Sequence, residues 1–269
     1  MKSKSLSYSQ VNMYQNCPEL YRLKYIERLG GDKIPVAFQY GSDVHEMLAN
    51  MWKKRKMKTP NFDYMYKPAE AKTTAFKLVE AGKEILFNDK ADCGWGVPIS
   101  LDPDADKDGI GLEVEYEVRI DGFKGIIDLL GWSEDGRLWV IDWKTTSKSY
   151  TPHEIMTSDQ LTCYAWLTKK VFGRMPDYVA YVTLNKKTKK ARIWADSRNG
   201  SQLIDWQRKV ESVRDGITKK HFWKNPNNCV NEWGNCDFYN QCWPHLKYNG
   251  KRTATELPMF GGGTVSNGG

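Results

Sequence analysis

The sequence has no uninterrupted apolar stretch approaching the ~20 residues that a helix needs to cross a bilayer. Its opening, MKSKSLSYSQ, lacks the apolar core of a secretory signal. Together these absences predict a soluble, cytoplasmic protein. No period of roughly 20 to 50 residues recurs, which excludes a solenoid. There is no Ser-His-Asp arrangement and no phosphate-cradling glycine loop, so neither triad hydrolysis nor a P-loop motor has its machinery. The C-x-x-C pairs of common zinc folds are also missing. Charge of one sign is only slightly in excess: 40 Lys+Arg stand against 33 Asp+Glu, and the net charge of +7 permits an anionic partner without requiring one.

The 269 residues suit one large domain, or one domain with an appendage. The apolar set makes up 40% of the chain and 22 glycines add to it, which is ordinary globular composition and excludes wholesale disorder. The eleven tryptophans are mostly core residues, with stacking surfaces as a second use. Of the six cysteines, Cys229, Cys236 and Cys242 cluster late, while Cys17, Cys93 and Cys163 are scattered. In a reducing compartment that distribution favours metal binding over disulfides.

Ser7 reads as the N-cap of a short helix ending near Gln15, and Pro18 as a first-turn residue of a second helix carrying Leu20, Leu23 and Ile26. A third helix is expected from Ser42 through His45, Leu48 and Trp52 into Lys53-Lys54-Arg55-Lys56, and a fourth over residues 68–87. Asp, Gly and Pro make residues 89–108 a long loop. Residues 112–120 alternate strictly, with Leu112, Val114, Tyr116, Val118 and Ile120 on one face and Glu113, Glu115, Glu117 and Arg119 on the other. This is a half-buried strand. Asp121-Gly122 is a hairpin turn into a strand over residues 123–130, and a turn at 133–136 leads to a third strand over 138–143. Three antiparallel strands in succession are expected. A helix over 152–171, a strand over 178–184, a lysine-rich turn at 186–190, a strand over 192–195 and a helix over 201–220 follow. The glycine-rich ending is a flexible tail.

Period two puts Asp142 and Lys144 on one face of the third strand. Asp128 interrupts the apolar run of the strand paired with it, where an unpartnered carboxylate is costly. Two carboxylates at neighbouring strand positions, with an ammonium beside them, suit Mg2+ or Mn2+. A buried ion pair at a sheet edge explains the same residues equally well. Gln160 and Tyr164, four apart, share a helix face, which by itself is commonly surface decoration. His45 falls in the first turns of its expected helix, where anions are favoured, although a lone helical histidine is commonly structural. Residues 53–58 and 186–190 are basic runs that either meet a nucleic-acid backbone or form solvated faces.

In order along the chain, Gly41-x-x-x-His45, Gly125-x-x-Asp128, Asp142-x-Lys144 and Gln160-x-x-x-Tyr164 resemble the RecB-like branch of the PD-(D/E)XK nucleases. Ser7-Tyr8-Ser9, Cys17-Pro18 and the three late cysteines are similar to its iron-sulfur-cluster type, which includes AddB and CRISPR-associated exonucleases. The resemblance implies an α/β fold with a restriction-endonuclease-like core: a mixed central sheet flanked by helices, its N- and C-terminal segments pinned by the cluster. It implies one nuclease domain over residues 1–250 and a tail over 251–269. His45, Asp128, Asp142 and the Trp143 backbone carbonyl would hold Mg2+ or Mn2+, Lys144 would orient or deprotonate the attacking water, and Gln160 and Tyr164 would support Lys144 and the phosphate. Glu115 shares a polar strand face with Glu113 and Glu117 and reads as solvated.

Cys17, Cys229, Cys236 and Cys242 would ligate a [4Fe-4S] cluster. A rival zinc site would use Cys229, Cys236, Cys242 and His245 and leave Cys17 free. Cys163 reads as a buried apolar thiol and Cys93 as a loop thiol. The activity implied is metal-dependent DNA hydrolysis, exonucleolytic on single-stranded DNA or duplex ends, in recombination, repair or replication. The compact form suits a phage or mobile element in a bacterial host. A DNA-end-binding accessory protein and a flap endonuclease are the alternatives. Glu256-Leu257-Pro258-Met259-Phe260 looks like a sliding-clamp docking peptide, with Leu257 and Phe260 as its apolar contacts.

Overall fold

The computed structural model describes residues 5–30, 36–53, 60, 62–86, 93–95, 100–231 and 234–246. Two compact units divide the chain, one formed by Met1–Val11 with Asp32–Asp215 and the other by Asn12–Gly31 with Gly216–Gly269. The element order is β1 (Leu6–Ser7), α1 (Tyr8–Asn16), α2 (Pro18–Tyr21), a π-helical turn (Arg22–Ile26), α3 (Val36–Trp52), α4 (Pro68–Ile85), β2 (Cys93–Trp95), β3 (Leu101–Asp102), β4 (Glu113–Ile120), β5 (Phe123–Ser133), β6 (Leu138–Thr146), α5 (Pro152–Met156), α6 (Asp159–Phe172), β7 (Tyr178–Asn185), β8 (Ala191–Asp196), α7 (Gly200–Thr218), a 3-10 turn (Pro226–Asn228), β9 (Val230–Asn231), β10 (Gly234–Asn235) and α8 (Tyr239–Cys242).

The first unit is built on one mixed sheet in the order β1-β5-β6-β7-β8-β2, with β3 and β4 also pairing β5. The β4-β5-β6 meander is antiparallel, as its alternation predicts, and Asp121 and Gly122 make the tight turn with φ of 50° and 68°. β6 and β7 run parallel, and α5 and α6 lie between them in the chain. Trp139, Ile141 and Trp143 of β6 join Val182 and Leu184 of β7, Met47 and Leu48 of α3, and Leu78 of α4 in the main core. Each fully buried side chain of this kind contributes about 1.5–3 kcal/mol relative to exposure.

Three expectations are corrected. The helix expected from Ser42 already runs at Val36: Tyr40 lies on the buried face with Val44 and Met47 and extends the apolar stripe back toward the N-terminus, while Val36 itself is exposed. The single helix expected over 152–171 is two: Ser158 has extended backbone and its hydroxyl accepts from the Leu161 N–H at 3.2 Å, so it caps a new helix at Asp159. The long loop over 89–108 contains two short strands, β2 pairing β8 and β3 pairing β5. Residues 54–58 of the first basic run, and the 251–269 tail with Leu257 and Phe260, lie outside the described residues.

Candidate active site

The ladder between β5 and β6 has its last registered pair at Leu129 and Ile141. Asp128 and Asp142 stand one position beyond it, where β6 continues in register with β7 only, Asp142 opposite Tyr181 and Lys144 opposite Thr183. The Trp143 N–H donates to Asp128 Oδ2 at 2.9 Å, so a side chain takes the acceptor place a ladder carbonyl would fill. Both carboxylates are buried. Burial pushes the Asp128 carboxyl well above the usual range, and the Asp142 and Glu115 charges add to this against the opposing pull of the Trp143 N–H and Lys144. Gly125, in the same strand, admits α6: a Cβ there would lie 2.4 Å from Leu167 Cδ1.

Lys144 Nζ lies 2.6 Å from Asp142 Oδ2 and donates to Gln160 Oε1 at 2.9 Å. Burial opposes its charge, but the Asp142 and Asp128 carboxylates outweigh that and hold its pKa above the ordinary lysine value. Gln160 Nε2 donates to Asp142 Oδ1 at 2.8 Å and to the Tyr164 hydroxyl at 3.0 Å. Gln160 and Tyr164 are therefore directed inward by α6. Burial, then the Asp142 and Asp128 charges, keeps the Tyr164 phenol protonated.

His45 Nδ1 is 3.3 Å from Asp128 Oδ2, and the ring also hydrogen-bonds the Trp143 backbone. Burial lowers its pKa, against the Asp142 charge. Because α3 begins at Val36, His45 sits well inside the helix, so the helix-terminus argument for anion binding does not apply to it. Glu115, expected on a solvated face, is half-buried and lines the same cleft, its carboxyl raised by burial and by Asp142 against the pull of Lys53. Its φ of 51° is a left-handed conformation within a strand. Alternation gives no sign of that, and strict period two concealed Glu115.

One cleft of about 890 Å3 contains His45, Glu115, Asp128, Asp142, Lys144, Gln160 and Tyr164. Ser5, Ser7, Ser9 and Gln10 form another wall, and Lys53 and Lys124 supply positive charge. The turn at 186–190 is outside this lining; Asn185 Oδ1 organises it by accepting from the Lys187 and Thr188 N–H groups. Among the described residues, no three His, Cys, Asp or Glu side chains already stand in metal-ligating geometry. The donor set still suits a hard cation: apart from the Lys144 ion pair, Asp142 Oδ2 is buried without an aligned hydrogen bond, and it stands beside the second buried carboxylate, Asp128, whose ionisation the Asp142 charge opposes.

The second unit gathers the other cysteines. The β9-β10 hairpin returns the chain so that the Cys236 N–H donates to the Cys229 carbonyl at 2.8 Å, which accounts for their wide spacing in sequence. Cys242 ends α8, and Cys17 caps α2, its Sγ accepting from the Leu20 N–H at 3.5 Å. Trp243 Nε1 donates to Cys229 Sγ at 3.4 Å. Burial first, then Cys229, Asp237 and Cys17, raises the Cys236 thiol against the Phe238 N–H; burial, Glu19, Cys236 and Cys17 raise Cys242 against the pull of Lys224. His245 is exposed, its ring edge-on to Trp243. Cys163 is fully buried in α6, as an apolar thiol should be.

The sequence model of the PD-(D/E)XK nuclease superfamily matches residues 5–243. The chain belongs to this superfamily. Membership in the PD-(D/E)XK nucleases carries hydrolytic nuclease activity with DNA as the substrate class. Among solved structures, a candidate exonuclease from Eubacterium rectale is similar at 11% identity and a TM-score of 0.49, over 94% of this chain and 92% of that one. The protein SSO0001 aligns at 14% identity and a TM-score of 0.30, over 77% and 84%. No curated protein matches the nuclease. Among its described residues, no helix is long and apolar enough to cross a membrane.

Proposed function

We propose that the chain is a Mg2+- or Mn2+-dependent DNA exonuclease of RecB-like type, acting on single-stranded DNA or duplex ends. The observation that carries this reading is the Asp142–Lys144–Gln160 contact set beside Asp128, all opening on one cleft. His45, Asp128, Asp142 and the Trp143 carbonyl would hold the cation, which supplies Lewis acidity at the phosphoryl oxygen and acidifies bound water. Lys144 Nζ, held as an ammonium, donates toward the attacking water or a phosphate oxygen rather than removing a proton. Gln160 fixes both Lys144 and Asp142 through the two ends of one amide. Lys53 and Lys124 attract the phosphate backbone, and the Ser7 and Ser9 hydroxyls offer donors along it.

The second unit, in this reading, carries a [4Fe-4S] cluster on Cys17, Cys229, Cys236 and Cys242. Cys17 lies near enough to Cys236 and Cys242 to raise both thiols, which supports the cluster over zinc on Cys229, Cys236, Cys242 and His245, a site that would leave Cys17 out. Leu257 and Phe260 remain the proposed contacts with a sliding clamp. The deciding experiment is digestion of end-labelled linear and closed circular DNA with Mg2+. Exonucleolytic action predicts loss of the linear substrate alone, whereas cutting of the circle favours an endonuclease.

A further inference from the structure

Tyr181 belongs to an apolar strand, and by composition it is a core residue. Its register is more informative, since it is paired with Asp142 across the parallel β6-β7 ladder. Its ring therefore lies alongside the strand that carries Asp142 and Lys144, with Lys144 Nζ 4.9 Å from the ring centroid. Its hydroxyl donates to Gln160 Oε1 at 3.3 Å and shares a 2.7 Å hydrogen bond with Ser158 Oγ.

We propose that Tyr181 is a positioning residue for Lys144, its ring face holding the ammonium and its hydroxyl fixing the Gln160 amide that receives it. This rests on the reading of Lys144 as the group that acts on the substrate.

The hydrogen bonds around Gln160 explain why the hydroxyl matters. Its Oε1 accepts from Lys144 and Tyr181, and its Nε2 donates to Asp142 and Tyr164. The amide has two acceptor and two donor places, and all four are taken, so it has a single orientation. Ser158 caps α6 by accepting from Leu161, and its own proton is free to go to the Tyr181 hydroxyl. Tyr181 thus ties β7 to the start of α6 through both the cap Ser158 and the Gln160 amide that receives Lys144.

The ring acts differently. A lysine side chain has four flexible bonds, and confining it costs on the order of 2 kcal/mol of rotamer entropy. A π-face attracts the ammonium without accepting a conventional hydrogen bond, so it restrains Nζ and leaves an N–H for the substrate oxygen. Burial raises the energetic weight of that attraction, and Tyr181 is only 6% exposed.

The test compares the parent, Tyr181→Phe and Tyr181→Leu in steady-state cleavage of linear DNA with Mg2+. A further set places phenylalanines bearing one, two or three ring fluorines at the same position. Tyr181→Phe loses the hydroxyl and should lower kcat by about threefold to tenfold, the range for one hydrogen bond. Tyr181→Leu should lower it by roughly a further tenfold, with KM and DNA binding in Ca2+ unchanged. Fluorination drains charge from the ring face at nearly constant shape, so kcat should fall stepwise relative to Tyr181→Phe while Tm stays level. A merely structural tyrosine would not produce that gradient. A flat fluorine series in a parent that cleaves overturns this inference alone, including when Tyr181→Leu does not fold. A folded parent that fails to cleave overturns the functional reading and this inference with it.

Discussion

The Trp143 N–H donates to Asp128 Oδ2 at 2.9 Å, at the position where β5 and β6 stop pairing. One hydrogen bond thus does two things. It satisfies a buried backbone donor that has lost its ladder partner, and it fixes the Asp128 carboxylate beside Asp142. The opening in the sheet and the crowding of the two acids have the same origin.

Gly125 lies under the Leu167 side chain of α6, whose Cδ1 occupies the space a Cβ would need. Gly125→Ala should destabilise the fold by about 1–3 kcal/mol through overpacking against Leu167. Leu167→Ala alone leaves a cavity and should also destabilise, but the double variant should cost less than the sum of the two. Urea midpoints of the three variants measure this, and strict additivity would count against the contact.

Gln160→Ala removes the partner of Lys144 Nζ and of Asp142 Oδ1 together. Cleavage should fall on the order of tenfold to a hundredfold in kcat, because positioning is lost while the substrate cleft remains. Tyr164→Phe removes only an acceptor of the Gln160 amide and should be milder. Single-turnover rates at saturating enzyme separate these effects from binding.

Cys17→Ser tests the cluster. The parent should be brown and contain iron and acid-labile sulfide, and the variant should lose both and melt at a lower temperature, because the thiolate joins sequence-distant segments of one unit. One zinc per chain, retained in Cys17→Ser, would instead establish the Cys3His alternative with His245.

Much of the site was legible because its residues break local patterns. Asp128 interrupts an apolar strand, Asp142 and Lys144 follow the apolar run of one, and Gln160 and Tyr164 recur at helical spacing. The meander was legible for a similar reason, since alternation and Asp121-Gly122 leave one register. What stayed hidden depends on tertiary placement. Glu115 follows the alternation faithfully, and only its left-handed φ and its place in the cleft distinguish it from Glu113 and Glu117. Tyr181 looks like core until the parallel register sets it beside Asp142. The break at Ser158 is carried by one hydroxyl, a signal easily outweighed by the apolar residues on either side.

If Asp128 and Asp142 hold a divalent cation while Lys144 acts on the phosphate, cleavage of linear DNA by the parent, Asp142→Ala and Lys144→Ala reports it. The parent should cleave with Mg2+ or Mn2+, bind without cleaving in Ca2+, and stop in excess EDTA. Asp142→Ala and Lys144→Ala should each lose at least about a hundredfold in kcat. Both should still bind DNA, the aspartate variant at least as tightly because a negative charge has left the path of a polyanion. Undiminished cleavage by either variant, or by the parent in EDTA, would mean that no cation at this site drives cleavage and leave Asp142 and Lys144 as a structural ion pair.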